Sequence, residues 1–598
     1  MKLRKFLSYM TVIMLMASIS SCEEYLDYVP DDEVTEDVVF TNFQSVQQYL
    51  GQCYFAMHNY VAHPTDWDSE IGSLSDESQS ASFTGPIPTV YNKGVWLDGN
   101  RAEFGFEYNE DRVQRIDMTP AGEAVVGIRV ANLALQEGLD QIEDVPQLPG
   151  GISKEQIIQY MEGEFRILRA WYHFELIRRY GGLFIIDEPI SPDSPFTPER
   201  ISYSECTEWI VSELDSCYKL LPVRWESDFE GRATKTSALA IKTMVLLYAA
   251  SPNMNFADNG DDSYNLDYCK RAAKSAAETI QEANASGYYS MYPWSEYTEN
   301  WYSETALLST EAVWAPSIGN NNRPGAANVG DGWLDPPGVM GGWGNFVSPT
   351  QNAVDWFEHV EGGEAKAIED HPSYNDQDPY VNRDPRFYQH IYHHGESILV
   401  TDPGVTLDAV NGSDQYLKHS ANGVWTGYVH KKHNWHGSNN TDGVAGRNRY
   451  FPFIRLAQVY LDLAEAANEA YGPNGDPDGL GWTAVAAINE VRRRVDGLPD
   501  VHTDYTSSTE VFRDRIRNER AVELYHEMHR WHDIRRWRIA KEALSKIYRL
   551  DLVDNGGILV FGKAEVEGAR IFEDKHYWYP LPNTELQNNP NLVQNPGW

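Results

Sequence analysis

Cysteine is scarce in this chain, five residues in 598. None sits in a C-x-x-C pair, so a zinc ribbon or a dithiol redox motif is not available. Cys206 and Cys217 fall on one expected helix about 16 Å apart at the usual rise per residue, too far to bridge. A disulfide scaffold is excluded. Basic residues are short as well, 49 Lys and Arg against 88 Asp and Glu, for a formal net charge of −39. Such a polyanion is repelled by nucleic-acid phosphates and by anionic lipid headgroups, which excludes nucleic acid as a partner and adhesion to a membrane by charge.

Hydrolase motifs are missing too. There is no Gly-x-Ser-x-Gly elbow, and His526-Glu527-Met528-His529 is one residue short of a His-Glu-x-x-His zinc helix. His526, His529 and His532 recur every three residues on an expected helix, but Arg530, Arg535 and Arg536 crowd it and oppose a cation. His390, His393 and His394, like His430, His433 and His436, sit in irregular sequence. Asp258-Asn-Gly-Asp261-Asp262 lacks the spacing and closing Glu of a calcium loop and suits a solvated turn. No metal, cofactor or catalytic residue is expected. Two carboxylates about 5 to 9 Å apart suffice for glycoside hydrolysis, so a glycosidase stays open as the less favoured alternative.

The first 22 residues set the expected address. Lys2, Arg4 and Lys5 precede an uncharged, mostly apolar run from Phe6 to Ser18, then Ile19-Ser20-Ser21-Cys22 and the acids Glu23 and Glu24. A basic start, a short apolar stretch and small residues before a cut describe a signal peptide over 1–21, too short for a membrane span. The cysteine makes the site resemble a bacterial lipobox, whose thiol is diacylated and becomes the mature N-terminus. The expectation is an exported protein anchored by acyl chains on Cys22, since several chains hold firmly where one is marginal. An ordinary secretory cut is the alternative.

At 42% hydrophobic and 23% charged residues the chain is globular, and its length calls for two lobes or an extended array rather than one core. Helical signals dominate. Ser153 with Gln156, Ser202 with Glu205 and Ser507 with Glu510 form capping boxes. Apolar residues recur at helical spacing over 162–180, where Gly181-Gly182 stops the helix, and over 238–248, 269–280 and 456–470. Two further helices are expected from Trp482 to Arg494 and from Thr509 to about Lys541. Helix pairs with alanine seams are similar to tetratricopeptide arrays, although no strict period near 34 residues is present. Between about residues 288 and 450 the helical period fades into Gly, Asn, Asp, Pro and Trp. Long irregular stretches of this kind are often functional.

Several segments stand out in order: the start Cys22-Glu-Glu-Tyr25-Leu26-Asp27 with Pro30, EFRILRAWYHFELIRRYGGLFIIDEPI (164–190), TKTSALAIKTMVLLYAASPN (234–253), NRDPRFY (382–388), PFIRLAQVYLDLAEAANEA (452–470), INEVRRRVDGLP (488–499), ERAVELYHEMHRWHDIRRW (519–537) and YPLPNTELQNNPNLVQNPGW (579–598). Together they resemble the SusD/RagB family of Bacteroidetes outer-membrane nutrient-uptake lipoproteins. Arg169, Tyr180, Arg535 and Arg536 within these segments suit helix-holding ion pairs and packing. The resemblance implies a mainly α, tetratricopeptide-like helix-pair scaffold carrying a long loop-rich ligand region. It divides the chain into the signal peptide 1–21, an N-terminal SusD-like region 22–230 and a RagB/SusD region 231–598 that includes the ligand face 288–450. It also implies a SusC-like TonB-dependent outer-membrane transporter as partner, and capture of an oligosaccharide without its hydrolysis. In the RagB branch the ligand is a peptide, which this acidic chain would favour if basic.

Sugar rings expose apolar C–H faces between hydroxyl edges, so a site for them needs flat aromatic platforms beside amide, carboxylate or Arg groups. Two stretches fit. GVWLDGNR (94–101) offers Trp96 with Asp98, Asn100 and Arg101, and GDGWLDPPGVMGGWGNF (330–346) offers Trp333 and Trp343 with Asp331 and Asn345. Trp67, Trp294 and Trp301 form a second tier. The competing role for every one of these rings is core packing beneath a long loop.

Overall fold

The computed structural model describes residues 36–57, 71–80, 91–96, 123–191, 195–225, 229–303, 309–316, 347–398, 404–413, 415, 425–433, 448–449, 452–566 and 570–598. Its main helices are α1 (Phe43–Phe55), α2 (Glu123–Glu137), α3 (Lys154–Tyr180), α4 (Tyr203–Leu220), α5 (Lys235–Ala250), α6 (Leu266–Ser286), α7 (Leu456–Tyr471), α8 (Ala484–Arg493), α9 (Thr509–Glu523) and α10 (Arg530–Arg536). Short antiparallel ladders join β1 (Ser78–Ser80) to β3 (Val347–Pro349), and β2 (Ala312–Trp314) to β8 (Ile454–Arg455). Others join β4 (His359–Glu361) to β5 (Glu364–Lys366), and β6 (Ile391–Tyr392) to β7 (Val429–His430). A longer hairpin pairs β9 (Tyr548–Asp554) with β10 (Leu559–Glu565).

Helices start where the sequence caps them. The Ser153 hydroxyl accepts from the Gln156 N–H at 3.2 Å while the Gln156 side chain accepts from the Ser153 N–H at 3.0 Å, and Ser202 with Glu205 repeats the box at α4. Asp258, expected only as part of a solvated turn, also accepts from the Tyr203 and Ser204 N–H groups at the start of α4. The third box expected does not form: Ser508, not Ser507, caps α9 by accepting from the Val511 N–H, and valine has no side-chain acceptor to return the bond. The helix expected from Thr509 to about Lys541 is broken at 524–529, where His526 and Met528 adopt positive φ of 56° and 66°. His526, His529 and His532 therefore do not share one helical face.

Each helix from α2 to α7 packs on its predecessor, and α8 and α9 both pack on α7. This is the tetratricopeptide-like array. The seams depend on small residues: Ala272, Ala273, Ala276 and Ala283 of α6 are fully buried against α5 and α7. At Gly127 of α2 a Cβ would overlap the Tyr172 ring of α3, so only glycine lets these helices meet. Although α6 and α7 are neighbours in the array, residues 287–455 separate them in sequence, and that excursion carries β2 to β8. The irregular stretch is thus an insertion between two packed helices. Among the described residues no helix is long and apolar enough to cross a membrane. Cys53, Cys206, Cys217 and Cys269 are buried and free.

The segments that carry the family resemblance converge on buried ion pairs. Arg386 meets Asp384 (2.7 Å), Glu519 (2.7 Å) and Glu523 (3.2 Å), and Arg492 links Glu519 (2.7 Å) to Glu358 (2.8 Å). Arg455 joins Glu311 (2.5 Å), Glu523 (3.1 Å) and Glu527 (2.6 Å), while Arg494 bridges Glu311 and Glu523. Lys432 on Glu527 and Arg515 on Glu358 complete the lattice, which holds as many cations as carboxylates. A buried charge is tolerated only when paired in this way. Burial acts to raise the Glu519 pKa, but Arg386 and Arg492 outweigh it and hold the carboxyl at about 2. A second group ties Arg536 to Glu465 (2.5 Å) and Asp533 (2.7 Å). Arg169 pairs with Glu213 (2.5 Å), and Arg535 donates to the Tyr577 carbonyl (2.7 Å), so these arginines hold the scaffold as expected.

Candidate functional site

Trp96 ends the short turn that begins at Tyr91–Lys93, and its indole N–H donates to the Tyr91 carbonyl at 2.9 Å. Its ring stacks on His576 (centroids 4.8 Å apart) and Trp598 (6.3 Å), and tilts against Tyr579 (5.2 Å) and Trp531 (5.7 Å). Only 4% of the residue is exposed. Trp96 is core, which corrects its expected role as a sugar platform: both ring faces are already covered. Trp301 is corrected on the same ground, being 2% exposed beneath Lys432 and Arg455, which lie 4.6 and 5.7 Å from its ring. Trp294 is half-buried against Tyr297, 4.9 Å away. Trp67, Asp98, Asn100, Arg101, Asp331, Trp333, Trp343 and Asn345 lie outside the described residues, as does Cys22.

Described residues that flank the two candidate stretches nonetheless meet one patch. Val347, which follows 330–346, pairs with Ser80 in β1. Asn92, just before Trp96, donates from its side chain to the Ser73 carbonyl at 3.3 Å. Residues 71–80 are themselves clamped: Arg530 grips Asp76 through two 2.7 Å bonds, and Arg570 donates to the Ser78 carbonyl at 2.6 Å. Val347 and Asn92, the described residues beside the two stretches, thus both bond to the 71–80 segment.

An open groove of about 800 Å³ lies elsewhere, between α6 and the connection that follows α7. Lys270, Lys274, Gln281 and Asn284 line one wall, and Tyr471 and Trp482 the other. Asp476 shapes the connection by accepting from the Leu480 and Gly481 N–H groups at 2.7 and 2.8 Å. The Tyr471 hydroxyl donates to Asp478 at 2.6 Å, and Trp482 packs edge-on to Tyr460 at 5.3 Å. Aromatic rings beside amides and ammonium groups are what a sugar needs. The expectations omitted this groove. Its signal was available, because YGPNGDPDGLGW (471–482) shares Gly, Asp and Trp with both candidate stretches, and Pro with 330–346.

A model of the SusD family matches residues 310–598, and a second, described as starch-binding associating with outer membrane, matches 123–247. Among curated relatives, SusD-like protein P2 of Formosa agariphila is 29% identical over 191 residues, 31% of this chain and 33% of that protein. SusD-like protein P25 of the same organism is 30% identical over 141 residues, 24% of this chain and 23% of that protein. The matches thus span a third or less of these relatives' own length. A SusD-like protein from Bacteroides fragilis NCTC 9343 superposes with a TM-score of 0.70 at 25% identity, covering 95% of this chain and 99% of the other. A laminarin-binding SusD-like protein superposes with a TM-score of 0.57 at 20% identity, covering 93% and 100%. With both family models in chain order and the helical array matched along nearly its whole length, the chain belongs to the SusD/RagB family.

Proposed function

We propose that this protein is an extracellular, lipid-anchored receptor of the outer membrane that captures an oligosaccharide and passes it to a SusC-like TonB-dependent transporter. Family membership carries the reading, since one matching family model is described as starch-binding associating with outer membrane. The laminarin named for one structural neighbour supports a glycan as the ligand class. Diacylation of Cys22 supplies the anchor. Capture makes and breaks no bond. Trp333 and Trp343, with Asp331, Asn345, Asp98, Asn100 and Arg101, provide the platforms and hydrogen bonds, and Trp482 lines a second surface of suitable chemistry.

Glycan arrays and titration of the full chain test the reading. Retention of a polysaccharide fragment, weakened in Trp333→Ala and Trp343→Ala variants that remain folded, is the expected result. Binding of basic peptides with no glycan retained overturns it in favour of the peptide alternative, and new reducing ends on incubation with polysaccharide overturn it in favour of a glycosidase. Cys22→Ala is expected to release the protein from membranes.

A further inference from the structure

We propose that His359, Glu361 and His371 form a binding site for a divalent transition-metal ion of the zinc class. His359 and Glu361 are two apart on β4, so their side chains leave the same face of the strand. His371 comes from the turn after β5, where the Asp370 and His371 N–H groups both donate to the Ala367 carbonyl at 2.9 and 3.0 Å. The two imidazoles meet edge to face with centroids 4.5 Å apart. One ligand atom from each of the three residues lies within 4.8 Å of the others.

An independent observation points to a ligand. His359 is 3% exposed, and neither of its ring nitrogens has a hydrogen-bond partner. The Glu361 carboxylate stops short of a hydrogen bond, with 3.6 Å between Nε2 and Oε2. Buried polar groups are nearly always satisfied, and leaving one bare is costly. A metal ion supplies the missing partner. Two imidazole nitrogens and one carboxylate suit zinc, with the fourth tetrahedral position left to water. Metal–ligand bonds of about 2.0–2.2 Å require the three groups to close in further. Glu361 can supply that movement, because its side chain is 47% exposed.

The surroundings both favour and limit the site. Burial, then the facing His371, holds His359 below the ordinary histidine value, so its ring is neutral and has a lone pair at pH 7. His371 Nδ1 accepts from the Ser373 N–H at 3.3 Å. A neutral imidazole has one lone pair, so ligation ends that long bond and leaves the N–H of exposed Ser373 to water. Arg383 is the cation facing His359 and works against a divalent ion. Its own N–H groups are directed to the carbonyls of Val354, Phe357 and Pro379.

Zinc titration of the chelator-treated full chain, followed by calorimetry, tests the proposal. One saturable equivalent is expected, together with a rise in the melting temperature. His371→Ala and Glu361→Gln are each expected to weaken that equivalent by about tenfold or more and to shrink the rise. Because Glu361 is exposed, its variant remains informative if a histidine variant does not fold. Absence of saturable binding at submillimolar zinc, or equal binding by the wild type and the Glu361→Gln variant, overturns the site. Neither result bears on glycan capture.

Discussion

The indole of Trp96 stacks on that of the C-terminal Trp598, with centroids 6.3 Å apart and ring planes 28° from parallel. The Trp598 N–H in turn donates to the Lys575 and Trp578 carbonyls at 3.0 and 3.1 Å. The closing Gln-Asn-Pro-Gly-Trp therefore serves as a clasp. Asn595 extends it by donating to the carbonyls of Tyr180, the last residue of α3, and Tyr579.

Replacing Trp96 by Ala is accordingly expected to destabilise the fold by about 3–5 kcal/mol, the usual cost of emptying a buried aromatic site. Chemical denaturation measures it. Glycan affinity of the molecules that remain folded is expected to change little, because both faces of this ring are already occupied.

Gly127→Ala probes the seam between α2 and α3. The added methyl group would collide with the Tyr172 ring, inside any permissible contact. Either the helices separate or the tyrosine leaves its place, and overpacking of this kind costs about 1–3 kcal/mol or more. A lower denaturation midpoint with unchanged helical circular dichroism is the expected outcome.

The array was legible because helical period, capping boxes and alanine seams are local signals. The ladders were not: strands of two or three residues, such as β6 and β7, are too short to show a period, and their pairing is set by contacts distant in sequence. The break after Glu523 was hidden for a related reason. His526 and Met528 are residues that helices accept, and their positive φ arises where the chain turns to bring Glu527 onto Arg455 and Lys432. Trp96 shows the limit for sites. Its neighbours in sequence suggest a ligand loop, whereas, Tyr91 apart, the rings that bury it come from residues 531–598.

Arg386→Ala would leave Asp384, Glu519 and Glu523 without a shared cation in the core. Breaking a buried pair from one side costs about 3–5 kcal/mol, so a large loss of stability by denaturant titration is expected. The exposed pair Arg493–Asp500, at 2.6 Å, provides the contrast. Its removal is expected to have little measurable effect, because solvent screens it.

Acid should destabilise the protein in two stages. His173 is fixed as a neutral ring: its Nε2 accepts from the Ile186 N–H at 3.0 Å while Nδ1 faces the Arg169 carbonyl at 2.8 Å. Burial lowers its pKa from 6.5 to about 3, and burial likewise lowers that of His529 to about 4. Between these values and 6.5 the unfolded chain binds the proton and the folded one does not, so stability falls as pH drops below 6.5. The second stage comes from carboxylates. Burial opposes ionisation of Glu519 and Asp533, but their arginines prevail and hold both at about 2. Their contribution is complete above the ordinary carboxylate range and is lost as pH falls through it towards 2. Melting temperature against pH should therefore be flat just above neutrality, decline from 6.5 and steepen below 4.5. His173→Gln, whose amide can accept from Ile186 without titrating, should flatten the first decline and leave the second. A first decline of unchanged slope in that variant would remove His173 as its source.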